Sequence, residues 1–425
     1  MGDKDIVNGM MESRLRLANE LMGNDGIIFM SIDDNERDRL RLLASQVFGF
    51  DIGEVVVHRK RGRDNSARDL SKAHDYLLVF SKTRQGQLGR LKILASTRKA
   101  YRNPDNDPRG PYRLLGLWAR GGQGGSSFSY RTIDGYQFTE RLWLVNLESM
   151  EELDKDDRLH RVGDKLYRKL FLAEHEGSVA ETIWTDVSNN ANAADELKAL
   201  FAFNPYPTPK PTPLLQKIVI LANSSDGLYL DFFAGSGTIA QAVIDVNCED
   251  DGKRKYILVE QGGYFDTVLK PRIQKVIYAA DWKNGQPVEG SEGSSHAFQY
   301  LRLESYEDTL DNLDLGTEAA PVSLFPPERD DYLLRYFLDH ETRQSRLNVE
   351  SFATPFDYQL RVRRNGVETR VGVDLVETAN FLLGLTVQAR RVYEHQGRTY
   401  RAVFGMAGDQ SVVVIWRDTA GLDLE

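Results

Sequence analysis

The chain has 425 residues, of which 41% are hydrophobic and 28% are charged, a composition typical of folded globular domains. This length is enough for two or three domains that each bury a core. The formal net charge of −9 does not indicate a nucleic-acid-binding protein, although DNA binding depends on local basic patches rather than on the total. The single cysteine excludes an intramolecular disulfide and a cysteine metal cluster, and it fits a reducing cytoplasm. We find neither an apolar run of membrane-spanning length nor a signal peptide, so we expect no membrane contact.

Helical and apolar segments alternate over the first 82 residues. Apolar residues recur at helical spacing in two segments, and acids and cap residues over 33–36 mark the start of the second one. Helices that alternate with apolar strands are the pattern of a layered α/β domain. The predicted helices cover residues 11–22 and 37–48, and the predicted strands cover residues 26–32, 54–58 and 75–80.

The character of the sequence changes near residue 83 and changes back near residue 204. Between these points the helical spacing is lost, aromatic residues are scattered, and turn-forming segments such as 103–110 occur. We expect an inserted recognition region here. A proline-rich stretch over 205–213 then leads into a helix predicted over 214–223, after which the α/β pattern resumes.

The C-terminal part follows a Gly- and Ser-rich stretch and mixes predicted strands with predicted helices, which indicates an α+β domain. Its strands are predicted over 297–303, 358–363 and 412–416, and its helices over 331–339 and 373–383. The predicted organisation is a first part of the core over 1–82, the inserted region over 83–203, a second part of the core over 204–281, a linker over 282–295 and the C-terminal domain over 296–425.

The segment 227–238 carries the strongest functional signal in the chain. A short apolar run ends at Asp231, Gly235 and Gly237 follow, and a helical pattern then begins, so the segment predicts a strand, a tight turn and a helix. Glycine lets the backbone turn sharply and approach a ligand closely. The start of the helix offers free N–H groups. This arrangement is typical of a cofactor-binding βα unit.

Two cofactors fit the glycine spacing. Residues 235–240 match the G-x-G-x-x-G/A fingerprint of dinucleotide-binding enzymes, which makes an NAD-dependent oxidoreductase a remote alternative. The carboxylate of Asp231, however, would repel a pyrophosphate and attract the ammonium and sulfonium groups of S-adenosylmethionine. Glu260 ends the next predicted strand, over 255–260, where it is placed to accept both ribose hydroxyls. The two acids therefore favour S-adenosylmethionine, and a glycine turn without any ligand is the structural alternative.

A basic segment follows the strand predicted over 54–58. It contains Arg59, Lys60, Arg61 and Arg63, which we expect to contact DNA phosphates and to make DNA binding depend on salt. A solvated charged loop is the alternative explanation.

Several short segments occur along the chain in the order found in one family. They are residues 14–18 with 26–36, 48–49, 74–82, 103–110, 209–211, 231–237, 254–260 and 376–384. In this order they resemble the modification subunit of type III restriction-modification systems, which are site-specific DNA adenine-N6 methyltransferases of the β class. The resemblance implies an α/β fold: a Rossmann-like methyltransferase sheet with an inserted target-recognition region and an α+β C-terminal domain. The donor-binding part is then residues 204–281.

The resemblance also implies a cofactor, partners and site residues. The cofactor is S-adenosylmethionine, without a metal, and the substrate is double-stranded DNA. The protein partner is a second copy in a homodimer or a restriction subunit, in the cytoplasm. The implied cofactor-binding residues are Asp231, Phe233, Gly235, Gly237 and Glu260, together with Lys210 and Pro211 near the methionine tail.

One signature of the family is absent from this sequence. The family carries Asp-Pro-Pro-Tyr upstream of its first helix, where it hydrogen-bonds the exocyclic amine and stacks on the flipped adenine. We therefore assign no catalytic residue in this chain, and we expect catalysis to need a segment that supplies the signature, carried by a longer polypeptide or by a separate chain. The alternative is a non-catalytic DNA-binding or scaffold protein that retains the methyltransferase fold.

Overall fold

The computed structural model describes residues 3–59, 70–93, 95–119, 124–303, 354–364 and 367–419. The chain divides into two compact units, residues Met1–Ala297 and Phe298–Glu425. In the described ranges, no helix has the length and apolarity required to cross a membrane.

A four-stranded sheet forms one part of the first unit. Its strand order is β1-β3-β2-β9, with β3 antiparallel to both neighbours and β9 parallel to β2. The elements are α1 (Asp3–Leu21), β1 (Ile27–Ile32), α2 (Arg37–Val47), β2 (Phe50–His58), β3 (His74–Ser81) and β9 (Ile183–Trp184).

Both faces of this sheet are covered, which explains the unbroken apolar run of β3. Leu77 and Val79 point to one side, where they pack in a cluster with α6 (Thr212–Leu221). Leu78 and Phe80 point to the other side, into a cluster with residues of α1 and α2. Each helix and strand predicted over the first 82 residues is confirmed, although α1 begins eight residues and β2 four residues earlier than predicted.

The predicted recognition region contains its own small core and more helix than expected. Its core gathers Leu117, Tyr130, Phe138, Trp143, Met150 and Leu166. The prediction that helical structure is lost from 83 to 203 is wrong at α4 (Leu147–Lys155) and α5 (Asn190–Phe201). The other elements are α3 (Ala95–Arg98), a sheet of order β4-β8-β7 built from β4 (Tyr112–Gly116), β7 (Leu159–Val162) and β8 (Lys165–Phe171), and a hairpin of β5 (Ser126–Arg131) and β6 (Gln137–Trp143).

The predicted donor-binding part is built around a parallel strand pair, β10 (Leu228–Asp231) and β11 (Lys255–Leu258), joined by a helical crossover. The helix α6 lies between the four-stranded sheet and the β10–β11 pair, because Leu214 and Ile218 pack on the four-stranded sheet while Val219 packs with Tyr229 of β10. The elements are α6, β10 (Leu228–Asp231), α7 (Thr238–Asp250), β11 (Lys255–Leu258), a π-helical turn (Phe265–Leu269), α8 (Lys270–Tyr278), β12 (Trp282–Lys283) and β13 (Gln286–Pro287).

The second unit is an α+β arrangement of a hairpin, a helix and a three-stranded meander. The hairpin pairs β14 (Gln359–Arg364) with β15 (Val367–Gly372), α9 spans Leu375–Leu382, and the meander is β16 (Leu385–His395), β17 (Arg398–Ala407) and β18 (Gln410–Arg417). The strand predicted over 297–303 is wrong, because these residues have no strand partner in the described ranges. The helix predicted over 331–339 lies outside the described residues.

Candidate functional site

The glycine turn between β10 and α7 has the backbone shape that the sequence predicts. Gly235 has a φ of +54° and Gly237 a φ of +77°, a left-handed conformation that favours glycine. Gly237 is the residue before the first turn of α7. A Cβ atom at Gly237 would lie 3.0 Å from Cγ of Leu269, so the π-helical turn also packs tightly against this glycine. The conformation of the turn is therefore fixed in part by close packing against Leu269.

Asp231 lies at the carboxyl end of β10, at the entrance to this turn. Its Oδ1 atom accepts a hydrogen bond of 3.0 Å from the N–H of Phe233. Burial raises the pKa of the Asp231 carboxyl, and the negative charge of Glu260 raises it further. No described cation forms an ion pair with Asp231, whereas the buried Asp75 and Asp107 each pair with two cations. A cationic ligand would supply the charge that this carboxylate lacks.

Glu260 lies two residues beyond β11, and the glycine turn itself orients its carboxylate. Oε2 accepts the N–H of Gly235 at 2.9 Å, and Oε1 accepts the N–H of Gly262 at 2.8 Å. Burial raises the pKa of Glu260, but these backbone hydrogen bonds outweigh it, so the pKa is lowered overall. A carboxylate offers about four acceptor positions. Glu260 is thus an ionised acid, fixed against the turn, that can accept further hydroxyl donors.

Two tyrosines flank this acid, and neither is part of the expected site. Burial and hydrogen bonds to Glu260 and Tyr206 raise the pKa of the Tyr264 hydroxyl. The rings of Tyr206 and Tyr264 meet edge to face with their centroids 5.0 Å apart. A Cβ atom at Gly235 would lie 3.1 Å from the Tyr206 hydroxyl. The two tyrosine rings therefore lie beside Glu260 and Gly235.

The remaining implied cofactor residues surround the turn in different ways. Phe233 is 52% exposed, which makes it a surface residue beside the turn rather than part of the core. The backbone carbonyl of Lys210 accepts a hydrogen bond of 3.1 Å from Oγ1 of Thr238. The buried Pro211 precedes the first turn of α6. The segment that contains Lys210 and Pro211 thus lies against the start of α7.

The Lys210 side chain points toward the four-stranded sheet. Its Nζ atom lies 3.0 Å from Oδ2 of Asp75, and Nη1 of Arg59 lies 2.8 Å from Oδ1 of the same carboxylate. The Asp75 side chain is only 8% exposed, so one buried acid binds both cations. Lys60, Arg61 and Arg63 lie outside the described residues. Of the expected basic site, only Arg59 can be placed, and it is already paired.

Arg272 of α8 forms hydrogen bonds with four residues at or near the glycine turn, and the sequence does not predict it as a site residue. Its side chain is 1% exposed and hydrogen-bonds to Ser236 and Thr238 of the glycine turn. The only local signal is a cation on the apolar side of a helical pattern. No cluster of metal-ligating side chains exists among the described residues.

Comparison with known proteins assigns the family. A model of the N6/N4 DNA methylase family matches residues 5–268. The chain belongs to this DNA methylase family, and the predicted α/β methyltransferase class is confirmed. The parallel βαβ unit with acids at the ends of both strands fits this class, since such sheets bind ligands beyond the carboxyl ends of their strands.

The similar proteins include type III modification subunits, which confirms the predicted resemblance. The StyLTI Mod subunit of Salmonella typhimurium is 34% identical over 72% of this chain and 50% of its own length. The EcoPI Mod subunit of Escherichia phage P1 is 29% identical over 58% of this chain and 44% of its own length. The chain thus spans about half the length of these relatives. The crystal structure of the M1.HpyAVI–SAM complex covers 62% of this chain and 81% of its own at 12% identity, with a TM-score of 0.30, too low to establish a shared fold.

Proposed function

We propose that this chain is the donor-binding and DNA-binding part of a site-specific DNA adenine-N6 methyltransferase of a type III restriction-modification system. The observation that carries the proposal is the pair of carboxylates around the glycine turn: Asp231, which lacks a described cation partner, and Glu260, which the turn orients. Together they match the ammonium and ribose ends of S-adenosylmethionine. The similarity to type III modification subunits supports the same assignment.

When bound, S-adenosylmethionine supplies an activated methyl group on a sulfonium. We assign the residues of this chain the task of holding it. Asp231 binds the ammonium group, Glu260 accepts the ribose hydroxyls, and Gly235 and Gly237 allow the close backbone approach. Phe233 provides an apolar surface at the turn, and Lys210 with Pro211 borders the methionine tail.

Calorimetric titration tests the donor site. We expect S-adenosylmethionine to bind and NAD not to bind. Asp231→Ala and Glu260→Ala should each weaken donor binding by about tenfold or more, because each removes charge-assisted hydrogen bonds. Asp226→Ala is the matched control, since Asp226 is an exposed acid just ahead of the opposite end of β10. Binding of NAD in place of the methyl donor would instead support the oxidoreductase alternative.

Double-stranded DNA is the proposed substrate, and the basic segment from Arg59 to Arg63 is its proposed phosphate contact. Neutralising each phosphate-binding cation should reduce the slope of log affinity against log salt by about 1. We would compare Lys60→Ala and Arg61→Ala with Lys253→Ala, an exposed lysine before β11. Unchanged affinity and slope in the first two variants would exclude this segment as the contact. Arg59 is less suited to this test because it is paired with Asp75.

We further propose that methyl transfer requires the Asp-Pro-Pro-Tyr signature, which this sequence does not contain, from a longer polypeptide or a separate chain. In the described ranges β10 pairs only with β11, so its other edge is free to accept a strand. A labelled-methyl assay on duplex DNA should give no product with this chain alone and product after a fragment carrying the signature is added. Activity of the chain alone would contradict the requirement.

The second candidate function is a non-catalytic DNA-binding or scaffold protein, and the absent signature is the observation that favours it. This alternative predicts that the chain binds S-adenosylmethionine and DNA. It also predicts that no methyl group is transferred, even after a fragment carrying the signature is added. The proposed partners, a second copy of the chain or a restriction subunit, and the proposed cytoplasmic location follow from the assignment to a restriction-modification system.

A further inference from the structure

Arg272 connects segments that are far apart in sequence. Four of its described partners are oxygen atoms of residues outside α8. Nε donates to Oε1 of Gln241 at 3.0 Å, Nη1 donates to Oγ of Ser236 at 3.0 Å and to Oγ1 of Thr238 at 2.8 Å, and Nη2 donates to Oγ1 of Thr212 at 3.1 Å. The planar guanidinium fork suits this task, because it presents five N–H donors in fixed directions.

The partners of Arg272 extend this network to both sides of the donor turn. The hydroxyl of Thr238 in turn donates a hydrogen bond of 3.1 Å to the backbone carbonyl of Lys210. Thr212 donates both its N–H and its hydroxyl to Oε2 of Glu196, at 3.0 and 2.7 Å. One buried cation therefore joins the turn at 236–238 to the segment at 210–212, the two backbone stretches assigned to the methyl donor.

The electrostatic setting of Arg272 differs from that of an ordinary buried ion pair. Its nearest described carboxylate atom, Oε2 of Glu196, lies 3.9 Å away, while the hydroxyl partners are much closer. Burial lowers the pKa of Arg272 to about 10, so the side chain remains protonated at neutral pH. Most of its hydrogen-bonding capacity is used to hold neutral groups of the glycine turn, α7 and α6, rather than to neutralise an acid.

We propose that Arg272 is a positioning residue for the methyl-donor site: its guanidinium fixes the start of α7 and the Lys210–Thr212 segment in the arrangement that binds the donor. The inference rests on the proposed function of the glycine turn. It goes beyond that function because α8 contributes nothing else to the site, and no sequence motif of the donor site includes this residue. The backbone that binds the donor would then be held in place by a buried side chain that does not contact the ligand.

The chain offers a matched control in Arg254. This arginine is also buried, at 8% exposure, and belongs to the same unit. It binds Oδ1 and Oδ2 of Asp250 at 2.8 Å each, at the amino end of β11 and therefore at the end opposite to the donor turn. Loss of either guanidinium should destabilise the fold, but only the loss of Arg272 should disturb the donor site.

The experiment compares Arg272→Met, Arg272→Lys and Arg254→Met with the wild-type chain. Calorimetry measures the affinity for S-adenosylmethionine and S-adenosylhomocysteine, and thermal unfolding without ligand measures stability. We expect donor affinity to fall by about tenfold or more in Arg272→Met, by less in Arg272→Lys, and by no more than about twofold in Arg254→Met. Both methionine variants should unfold at lower temperature than the wild-type chain.

Equal donor affinity of Arg272→Met and the wild-type chain would overturn the proposal, and so would an equal loss in Arg254→Met. If Arg272→Met does not fold, Thr238→Val decides, since it removes one acceptor while keeping the guanidinium and most of the side-chain volume. We expect Thr238→Val to weaken donor binding by about three- to tenfold, and an unchanged affinity would overturn the inference. A wild-type chain that binds no donor would instead contradict the proposed function itself.

Discussion

Two sheets of the first unit, the four-stranded sheet and the β10–β11 pair, differ in how they are covered. Along β3 of the four-stranded sheet, four successive residues from Leu77 to Phe80 are between 0% and 2% exposed, so both faces are buried. Along the β10–β11 pair, Leu228 and Leu230 are 63% and 39% exposed, and Ile257 and Val259 are each 47% exposed. The intervening residues Tyr229 and Tyr256 pack against α7 and α6. Among the described residues, the β10–β11 pair is therefore supported from one side.

This difference indicates which contacts stabilise the proposed donor site. On the helix side, α6, α7 and the Arg272 network hold the strands and the glycine turn. On the other side the described residues leave apolar strand side chains exposed, and exposed apolar side chains contribute little to stability. The two acids of the proposed site lie at or just beyond the carboxyl ends of β10 and β11, which one layer of helices stabilises in the described part of the chain. The site should therefore respond strongly to changes on that layer.

The largest predicted effect tests the difference in burial between β3 and β10. Leu78→Ala in β3 should reduce the free energy of unfolding by about 3 to 5 kcal/mol, because it leaves a cavity in a fully packed core. The same substitution at Leu228 in β10 should change it by less than about 0.5 kcal/mol. Equilibrium unfolding in urea measures both values. Similar losses in the two variants would mean that the outer face of β10 is covered, contrary to its exposure in the structure.

Local sequence order predicted the parts of the site that are local in the chain. Asp231, Gly235 and Gly237 lie within seven residues of one another, and a strand followed by a glycine turn and a helix is visible without tertiary information. Glu260 was found because the next strand also ends in an acid. These features depend on backbone conformation and strand ends, which short stretches of sequence largely determine.

The unpredicted features depend on contacts between distant segments. Arg272 meets Thr238 across 34 positions and Thr212 across 60, and a single basic residue in a helical pattern gives no sign of such partners. The placement of β10 and β11 in a sheet separate from the four-stranded sheet follows from pairing that no local pattern encodes. The helix α4 was missed because it is only 9 residues long and has Met150 as its single buried residue, so its apolar spacing is weak.

A smaller predicted effect concerns the glycine turn on the supported side. Gly237→Ala adds a Cβ atom to a residue with a φ of +77°, 3.0 Å from the Leu269 side chain. The left-handed conformation alone costs about 1 to 2 kcal/mol for a residue with a Cβ, so we expect thermal stability and donor affinity both to fall. Gly263→Ala is the control, since a Cβ atom there meets nothing within 4 Å. If Gly237→Ala binds the donor as well as Gly263→Ala does, the close packing of this turn is not required for binding.

The smallest predicted effect is a difference in pH dependence between two acids near strand ends. Asp75 lies in the four-stranded sheet, and Asp231 lies in the β10–β11 pair. Asp75 of β3 binds Arg59 and Lys210, whereas Asp231 of β10 has no such described partner and burial raises its pKa above the ordinary 3.8. Because the folded state holds this proton more tightly than the unfolded state, Asp231 favours folding at pH values below 3.8, and this contribution is lost as the pH rises through the raised pKa.

A donor ammonium group reverses that preference, because it binds the ionised carboxylate. We therefore expect donor affinity to fall as the pH is lowered through the raised pKa of Asp231, by at most about tenfold per pH unit. The pKa of Glu260 shifts in the opposite direction, because the effect of burial is outweighed by backbone hydrogen bonds, which lower it. Titrations from neutral pH downward should show the fall in the wild-type chain and in Asp226→Asn, while Asp231→Asn should bind weakly with little pH dependence. An unchanged pH profile in Asp231→Asn would mean that another group binds the cation, and that the unpaired acid of β10 has no part in donor recognition.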